Sequence, residues 1–248
     1  MILINKRSAP PGLDDLKEAA EKNGLTDQEG YDLLRNPLKT IVRDALMAEQ
    51  GHLCAYCMRR IPDIRISEED EDLSGTYIEH WQARSKTNTT SDNKGLDYQN
   101  MLAVCSGNEK APEASGRRKK RYFTCDKKRG SRPLKVNPLD VESINSIYYT
   151  AQGIIKSDDK AIEEDITKTL NLNCDSDAVL LPQNRKAVLD AVQSEIFEQV
   201  EQGNDFLEAC TEQLEIWESE TDPKTPYIGI VIWWLRDQLG SLSITTVH

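Results

Sequence analysis

The chain lacks the features that would make it a membrane, secreted or fibrous protein. Its longest nearly apolar stretch, Tyr227 to Leu235, is closed by Arg236 and falls far short of the ~20 residues a helical span needs. The first residues, Met1 to Ile4, run directly into Lys6, Arg7 and Pro10-Pro11 in place of the apolar centre of a secretory signal, so a cytoplasmic location is expected. On that expectation, the glycosylation-type triplet Asn88-Thr89-Thr90 is a chance match. Internal repeats are absent. Histidine is scarce, with only His52, His80 and His248. Six cysteines at scattered spacing in an intracellular chain of this size point to metal ligands or buried thiols and away from a disulfide framework.

What is present is a folded composition. At 248 residues, with 38% apolar and 29% charged side chains, the chain can bury a sizeable core as one large domain or two modest ones, which excludes disorder and collagen. The net charge of -11 is unevenly spread: residues 1–40 carry -1, residues 41–138 carry +4, and residues 139–248 carry -14. Ten Lys or Arg lie between Arg117 and Lys135 against one acid, Asp126. An acidic total disfavours loose coating of nucleic acid, because the whole field repels a polyanion while one face attracts it. Any nucleic-acid contact is therefore expected to be local or helped by a partner. The acidic run Glu68 to Asp72 is best taken as a solvated loop.

Periodicity divides the chain into three parts. Leu13 to Asn23, with Leu16, Ala19 and Ala20 in helical register, reads as a helix stopped at Gly24. A second helix starts after Thr26, pauses at Pro37 and continues through Leu38, Ile41, Val42, Ala45 and Leu46 to Gly51. Residues 1–40 thus form a helical lead-in. Within residues 41–138, between Cys54 and Pro138, the helical period gives way to short apolar runs, Thr76 to Ile78, Met101 to Val104 and Tyr122 to Thr124, between Gly-containing loops, which predicts a small α+β unit. Beyond, in residues 139–248, the period of 3.6 returns at Ile162, Ile166 and Leu170, then from Leu189 to Val200, Phe206 to Trp217 and Ile228 to Leu235. That part is expected to be mainly α-helical.

The chemistry is concentrated in the middle. Cys54-Ala55-Tyr56-Cys57 has the spacing that lets two thiolates bind one tetrahedral zinc, although a lone CxxC also suits a redox dithiol when it sits in a βαβ setting, which is not visible here. Cys105 and Cys125 supply two more thiols and could complete a closed site. Three ligands plus another group, or unlinked buried thiols, stay open as alternatives. Cys174 and Cys210 lie in the helical part, where Cys210 on an apolar stripe reads as a buried thiol. His52 is best explained by capping or packing, and His248 is the last residue. A lone histidine such as His80 is ordinarily a hydrogen-bonded, half-buried imidazole. Its neighbours change that expectation: Glu79 precedes it, Asn100 opens a later apolar run, and Asp126 follows Cys125.

Through Ile78-Glu79-His80-Trp81, Asn100-Met101-Leu102-Ala103-Val104-Cys105 and Cys125-Asp126-Lys127-Lys128-Arg129-Gly130, framed by Cys54 and Cys57, the sequence resembles the HNH endonucleases, and within them the PtuB family of Septu-type anti-phage systems. The specific likeness covers roughly residues 38–138; Asn171-Leu172-Asn173 and Asn184-Arg185 extend it weakly. The resemblance implies a ββα-metal finger with structural zinc on Cys54, Cys57, Cys105 and Cys125. It also implies His80 as general base, Asn100 orienting His80 through a bond to its backbone, and Glu79 and Asp126 holding one Mg²⁺ or Mn²⁺. Arg117, Arg118, Lys119, Lys120, Arg121, Lys127, Lys128 and Arg129 would meet the nucleic-acid backbone, the first five as a basic loop whose bland explanation is simple solvation. Asp126 stands where many such enzymes have His or Asn, favouring Mg²⁺ over a nickel- or zinc-type centre. The two later cysteines, usually a close pair, are here separated by 19 residues. The implied activity is phosphodiester hydrolysis, with DNA favoured, in a defence complex with an SMC- or ABC-like ATPase and in some cases retron RNA or DNA. A toxin-like ribonuclease, for example on tRNA, and an idle zinc scaffold are the competing functions. Residues 139–248 would dock the partner.

Overall fold

The computed structural model describes residues 1–62, 76–84, 93–109, 122–176 and 179–243. The lead-in forms as its periodicity predicts. Helix α1 (Leu13–Lys22) carries Asp14 and Asp15 in its first turn and Lys22 in its last, each favourable to the helix dipole. Helix α2 (Asp27–Asp32) starts in a capping box: the Thr26 hydroxyl accepts from the Glu29 amide and the Glu29 carboxylate accepts from the Thr26 amide at 2.9 Å. Helix α3 (Leu38–Glu49) buries Val42, Leu46 and Met47 on one stripe.

Strands β1 (Thr76–His80) and β2 (Met101–Cys105) pair antiparallel, with Thr76 opposite Cys105 and His80 opposite Met101. Every residue of β2 is buried, so the hairpin lies inside the molecule. Gln50, itself buried, secures it: its side-chain amide donates to Ala103 O at 2.7 Å and accepts from the Ala103 amide at 2.8 Å. The run Tyr122 to Thr124 does not pair as a strand. It is an extended lead into the short helix α4 (Cys125–Arg129).

The last part is mainly helical, with α5 (Val141–Asn145), α6 (Lys160–Glu164) running into a π-helical turn (Asp165–Thr169), then α7 (Leu181–Glu201), α8 (Phe206–Ser219) and α9 (Ile228–Ser243). Two small antiparallel hairpins interrupt it: β3 (Ile147–Tyr149) with β4 (Ile155–Ser157), and β5 (Asp175–Ser176) with β6 (Val179–Leu180). Gly153 makes the β3–β4 turn at φ 76, and a Cβ there would collide with the Pro182 carbonyl, so α7 can pack this close only against glycine. The fold is mixed α+β.

One buried core passes through both expected boundaries, from Leu13 and Leu46 through Tyr56 and Leu102 to Ile166, Ile196 and Ile228. Backbone bonds stitch the parts: Ile4 N to Pro138 O at 2.9 Å, Tyr227 N to Met58 O at 3.0 Å, and Cys125 N to Leu170 O at 2.8 Å. Among the described residues no helix is long and apolar enough to cross a membrane.

Candidate metal centre and active site

Three separate pieces of chain bring four sulfurs together. Cys54 and Cys57 sit on a tight turn closed by Cys54 N to Arg59 O at 2.9 Å and Met58 N to Cys54 O at 3.0 Å, with Met58 in the left-handed region. Cys105 ends β2 and Cys125 begins α4. After Cys105 the chain turns at Gly107, φ 57, where a Cβ would strike the Thr124 carbonyl. That closeness lets Thr124 N donate to Gly107 O at 3.1 Å and sets Cys125 beside Cys105. The sulfur separations Cys54–Cys125, Cys57–Cys105 and Cys105–Cys125 are each 3.8 Å, and all four sulfurs lie within 4.8 Å of one another. A tetrahedron with ~2.3 Å zinc–sulfur bonds has edges of about 3.8 Å, whereas a disulfide needs about 2.05 Å. The cluster therefore has the donor set and spacing for zinc, and the 19-residue interval does not keep Cys105 from Cys125. Burial, then the Cys105 thiol, pushes Cys54 well up against the pull of Cys125; three neighbouring thiols donating to Cys57 hold it well down. A quartet so close cannot ionise fully without a cation among the sulfurs. Cys174 and Cys210 are buried outside it.

Beside the cluster lies a carboxylate pair. Glu79 points from β1 toward Tyr56, whose hydroxyl donates to Oε1 at 3.2 Å, and toward Arg129, which forms a buried ion pair with the same oxygen. Asp126, half-buried in the first turn of α4, is within hydrogen-bonding reach of Glu79. Burial first and the Asp126 charge second raise Glu79 to about 8, against the pull of Arg129. Two carboxylates held this close suit a hard divalent cation, which takes one or two protein oxygens and leaves other positions to water and phosphate.

His80 faces the other way. Successive strand residues project to opposite faces, and while Glu79 meets Arg129, the His80 ring meets Tyr31 edge-on at 4.9 Å and bonds through Nε2 to Gly95 O at 3.0 Å. A carbonyl only accepts, so Nε2 carries a proton. Burial, then the Arg84 charge, lowers His80 to about 3, which keeps the ring neutral with Nδ1 as its acceptor. Asn100 does not bond the His80 backbone. Its side chain brackets Gln82, accepting from Gln82 N at 2.7 Å and donating to Gln82 O at 2.9 Å, and donates to Lys94 O at 3.1 Å. Asn100 and His80 thus clasp the consecutive carbonyls of Lys94 and Gly95, fixing the turn that leads into β2.

No protein-family model matches this chain. No curated protein matches it either.

The site's basic side chains divide by burial. Arg129 is 2% exposed, and its guanidinium is spent on Glu79, His80 O at 2.8 Å, Trp81 O at 2.6 Å and Arg132 O at 2.8 Å. This corrects the expectation of a nucleic-acid contact at Arg129: the side chain turns inward because only there does Glu79 supply a counter-charge. Arg132 in turn caps the end of α4, donating to Lys128 O and Arg129 O. Lys127 is exposed, pairs with Glu109 and lies 5.6 Å from the Phe123 ring, and Lys128 is half-buried. Arg117, Arg118, Lys119, Lys120 and Arg121 lie outside the described residues, as do the acidic run Glu68 to Asp72, the triplet Asn88-Thr89-Thr90 and His248. His52 pairs with Asp222 at 3.2 Å, a structural tie. Sequence reasoning missed Tyr56, hidden inside the CxxC motif, and Gln50, which no pattern marks.

Arg129→Ala is expected to destabilise the protein by about 3–5 kcal/mol, because it leaves Glu79, His80 O and Trp81 O without their charged donor. Urea unfolding of this variant beside Lys128→Ala checks the contrast: Lys128→Ala is expected to fold as the parent does.

Proposed function

We propose that the chain is a metal-dependent endonuclease of the HNH type, its hairpin β1–β2 and helix α4 forming a ββα-metal finger over a zinc held by Cys54, Cys57, Cys105 and Cys125. The observation that carries this is the convergence of Glu79 and Asp126 beside the four sulfurs, at the end of the strand that terminates in a neutral His80. Glu79 and Asp126 would hold Mg²⁺ or Mn²⁺, which when bound stabilises charge developing on a phosphodiester. His80, donating to Gly95 O, keeps Nδ1 free to take a proton from water. Burial makes it a weak base; a phosphate anion beside it would raise its proton affinity and bring it nearer the working range. Asn100 fixes the turn on which this depends. Lys127 and Lys128, with Arg117 to Arg121, would supply the backbone contacts, and DNA is the favoured substrate.

The wider role we propose is that of effector subunit in an anti-phage complex with an SMC- or ABC-like ATPase, with retron nucleic acid as a further associate, in the cytoplasm. Exposed Glu195, Glu198, Glu201, Glu208, Glu212 and Glu215 on α7 and α8 give the carboxy-terminal part an acidic outer face suited to a basic partner surface.

A zinc module that binds nucleic acid without cutting it is the second function, favoured by Arg129 occupying Oε1 of Glu79 and by His80 pointing away from the carboxylates. The deciding assay incubates the purified full-length chain with supercoiled plasmid or tRNA in Mg²⁺, Mn²⁺ or EDTA. Metal-dependent nicking or linearisation of plasmid is expected. Cleavage of tRNA alone would make it a ribonuclease, and binding without cleavage in either metal would leave the idle module.

A further inference from the structure

His80 packs against the amino-terminal lead-in, and that contact brings a cation to its side of the hairpin. The Tyr31 ring of α2 stands edge-on to the imidazole, with centroids 4.9 Å apart, and the Arg84 guanidinium carbon lies 4.1 Å from the centre of the same Tyr31 ring. A delocalised, weakly hydrated guanidinium can stack on an aromatic face while its edge N–H groups stay available for a planar two-point contact with an oxyanion. Arg84 spends none of them: among the described residues it forms no hydrogen bond and no ion pair. The carboxylate next to Tyr31, Asp32, accepts instead from Gln28 at 2.8 Å. Arg84 is half-buried, so its charge is held in place yet open to solvent.

The helices that carry Tyr31 are tied to the same turn that fixes His80. Lys94 N donates to Asp27 Oδ1 at 2.9 Å, Asn93 N to Glu21 Oε1 at 3.1 Å, and the Asn93 side chain to Thr26 O at 3.1 Å. A Cβ at Gly95 would overlap the Asp27 carbonyl, so α2 meets this turn backbone to backbone, at the residue whose own carbonyl accepts from His80. Tyr31 is thereby held against the imidazole. We propose that Arg84, stacked on Tyr31, is the phosphate-positioning residue of the His80 site, binding a phosphodiester of the nucleic acid and making the lead-in a wall of that site. The inference rests on the reading of the chain as a nuclease and extends it. Arg129, the other guanidinium at β1, is committed to Glu79 and to backbone carbonyls and cannot take that phosphate.

Binding of a fluorescein-labelled DNA duplex to the full-length chain, followed by anisotropy across a salt series without added divalent cation, tests the contact apart from turnover. Plasmid cleavage in Mg²⁺ is then measured on the same proteins. Arg84→Met is expected to weaken binding about tenfold and to lower the salt slope by about one, the signature of one lost phosphate contact. Arg84→Lys keeps the charge without the planar fork, so it should restore the slope and only part of the affinity. Tyr31→Leu removes the platform and should weaken binding in the same direction, whereas Tyr31→Phe keeps the ring face and should stay within twofold of the parent. Lys186→Met, which removes one charge from α7, controls for charge alone. Urea midpoints show that each variant is folded; if Tyr31→Leu is not, the Arg84 variants decide. Affinity within twofold of the parent and an unchanged slope in Arg84→Met, or a loss no larger than that of Lys186→Met, overturns the proposal, and does so alone when the parent cleaves plasmid. A parent that neither binds the duplex nor cleaves plasmid overturns the nuclease reading with it.

Discussion

His80→Ala is expected to lower metal-dependent cleavage by about 10²–10⁴-fold, the span that a positioned general base contributes. The loss should fall on kcat, since His80 lies on the face of β1 away from Glu79 and Asp126 and would leave their hold on a cation intact. Alanine also removes the packing against Tyr31 and the donor to Gly95 O, so some stability goes with it. His80→Gln separates the two effects, because its amide can still donate to that carbonyl while offering no ring nitrogen as a base. Plasmid cleavage beside urea unfolding makes the measurement: both variants inactive, with His80→Gln near parental stability, is the expected outcome. Full activity in His80→Ala would falsify the base assignment.

The second large effect is on folding. Zinc bound by four thiolates contributes on the order of 10 kcal/mol of apparent binding free energy in small zinc modules, comparable to the whole stability of an ordinary domain. Cys57→Ser, or prolonged chelation of the parent, is therefore expected to abolish cooperative melting or cause aggregation. Cys210→Ser, buried on α8 away from the cluster, should cost only about 1–3 kcal/mol. Elemental analysis should find one zinc per chain in the parent and in Cys210→Ser, and none in Cys57→Ser. Zinc-free parent protein that melts cooperatively would remove the site.

How far these features could be read beforehand depended on the range of each signal. The stripes on α1, α3, α7 and α8 repeat over several turns, so their period is visible. Strands β3 to β6 are two or three residues long, too short for alternation to register, and fell inside a part expected to be mainly helical. The Cys54–Cys57 spacing is a local signal; the approach of Cys105 to Cys125 depends on the Gly107 turn and the Thr124 bond, which spacing alone does not encode. Arg129 is indistinguishable in sequence from Lys127 and Lys128, yet helical geometry turns it inward toward Glu79. Asn173 and Arg185, suggestive in sequence, prove to be partners in one buried clasp. The stability of that clasp and of the Cys125–Leu170 bond means that deleting residues 139–248 would strip the core from the cysteine site. Charge reversal on Glu208 and Glu212 is the cleaner probe of partner docking.

The neck between Cys105 and Cys125 separates the sulfur site from the length of chain that joins its two halves. It is closed by Thr124 N to Gly107 O and by the Asn108 amide to Tyr122 O and Thr124 Oγ1, each at 3.1 Å, so the ends of the intervening segment are pinned whatever lies between them. Loop-closure entropy grows only with the logarithm of length, about 0.6 kcal/mol per doubling. The sulfur site therefore depends on the pinned ends at Gly107, Asn108, Tyr122 and Thr124 and sets little demand on the number of residues joined between them.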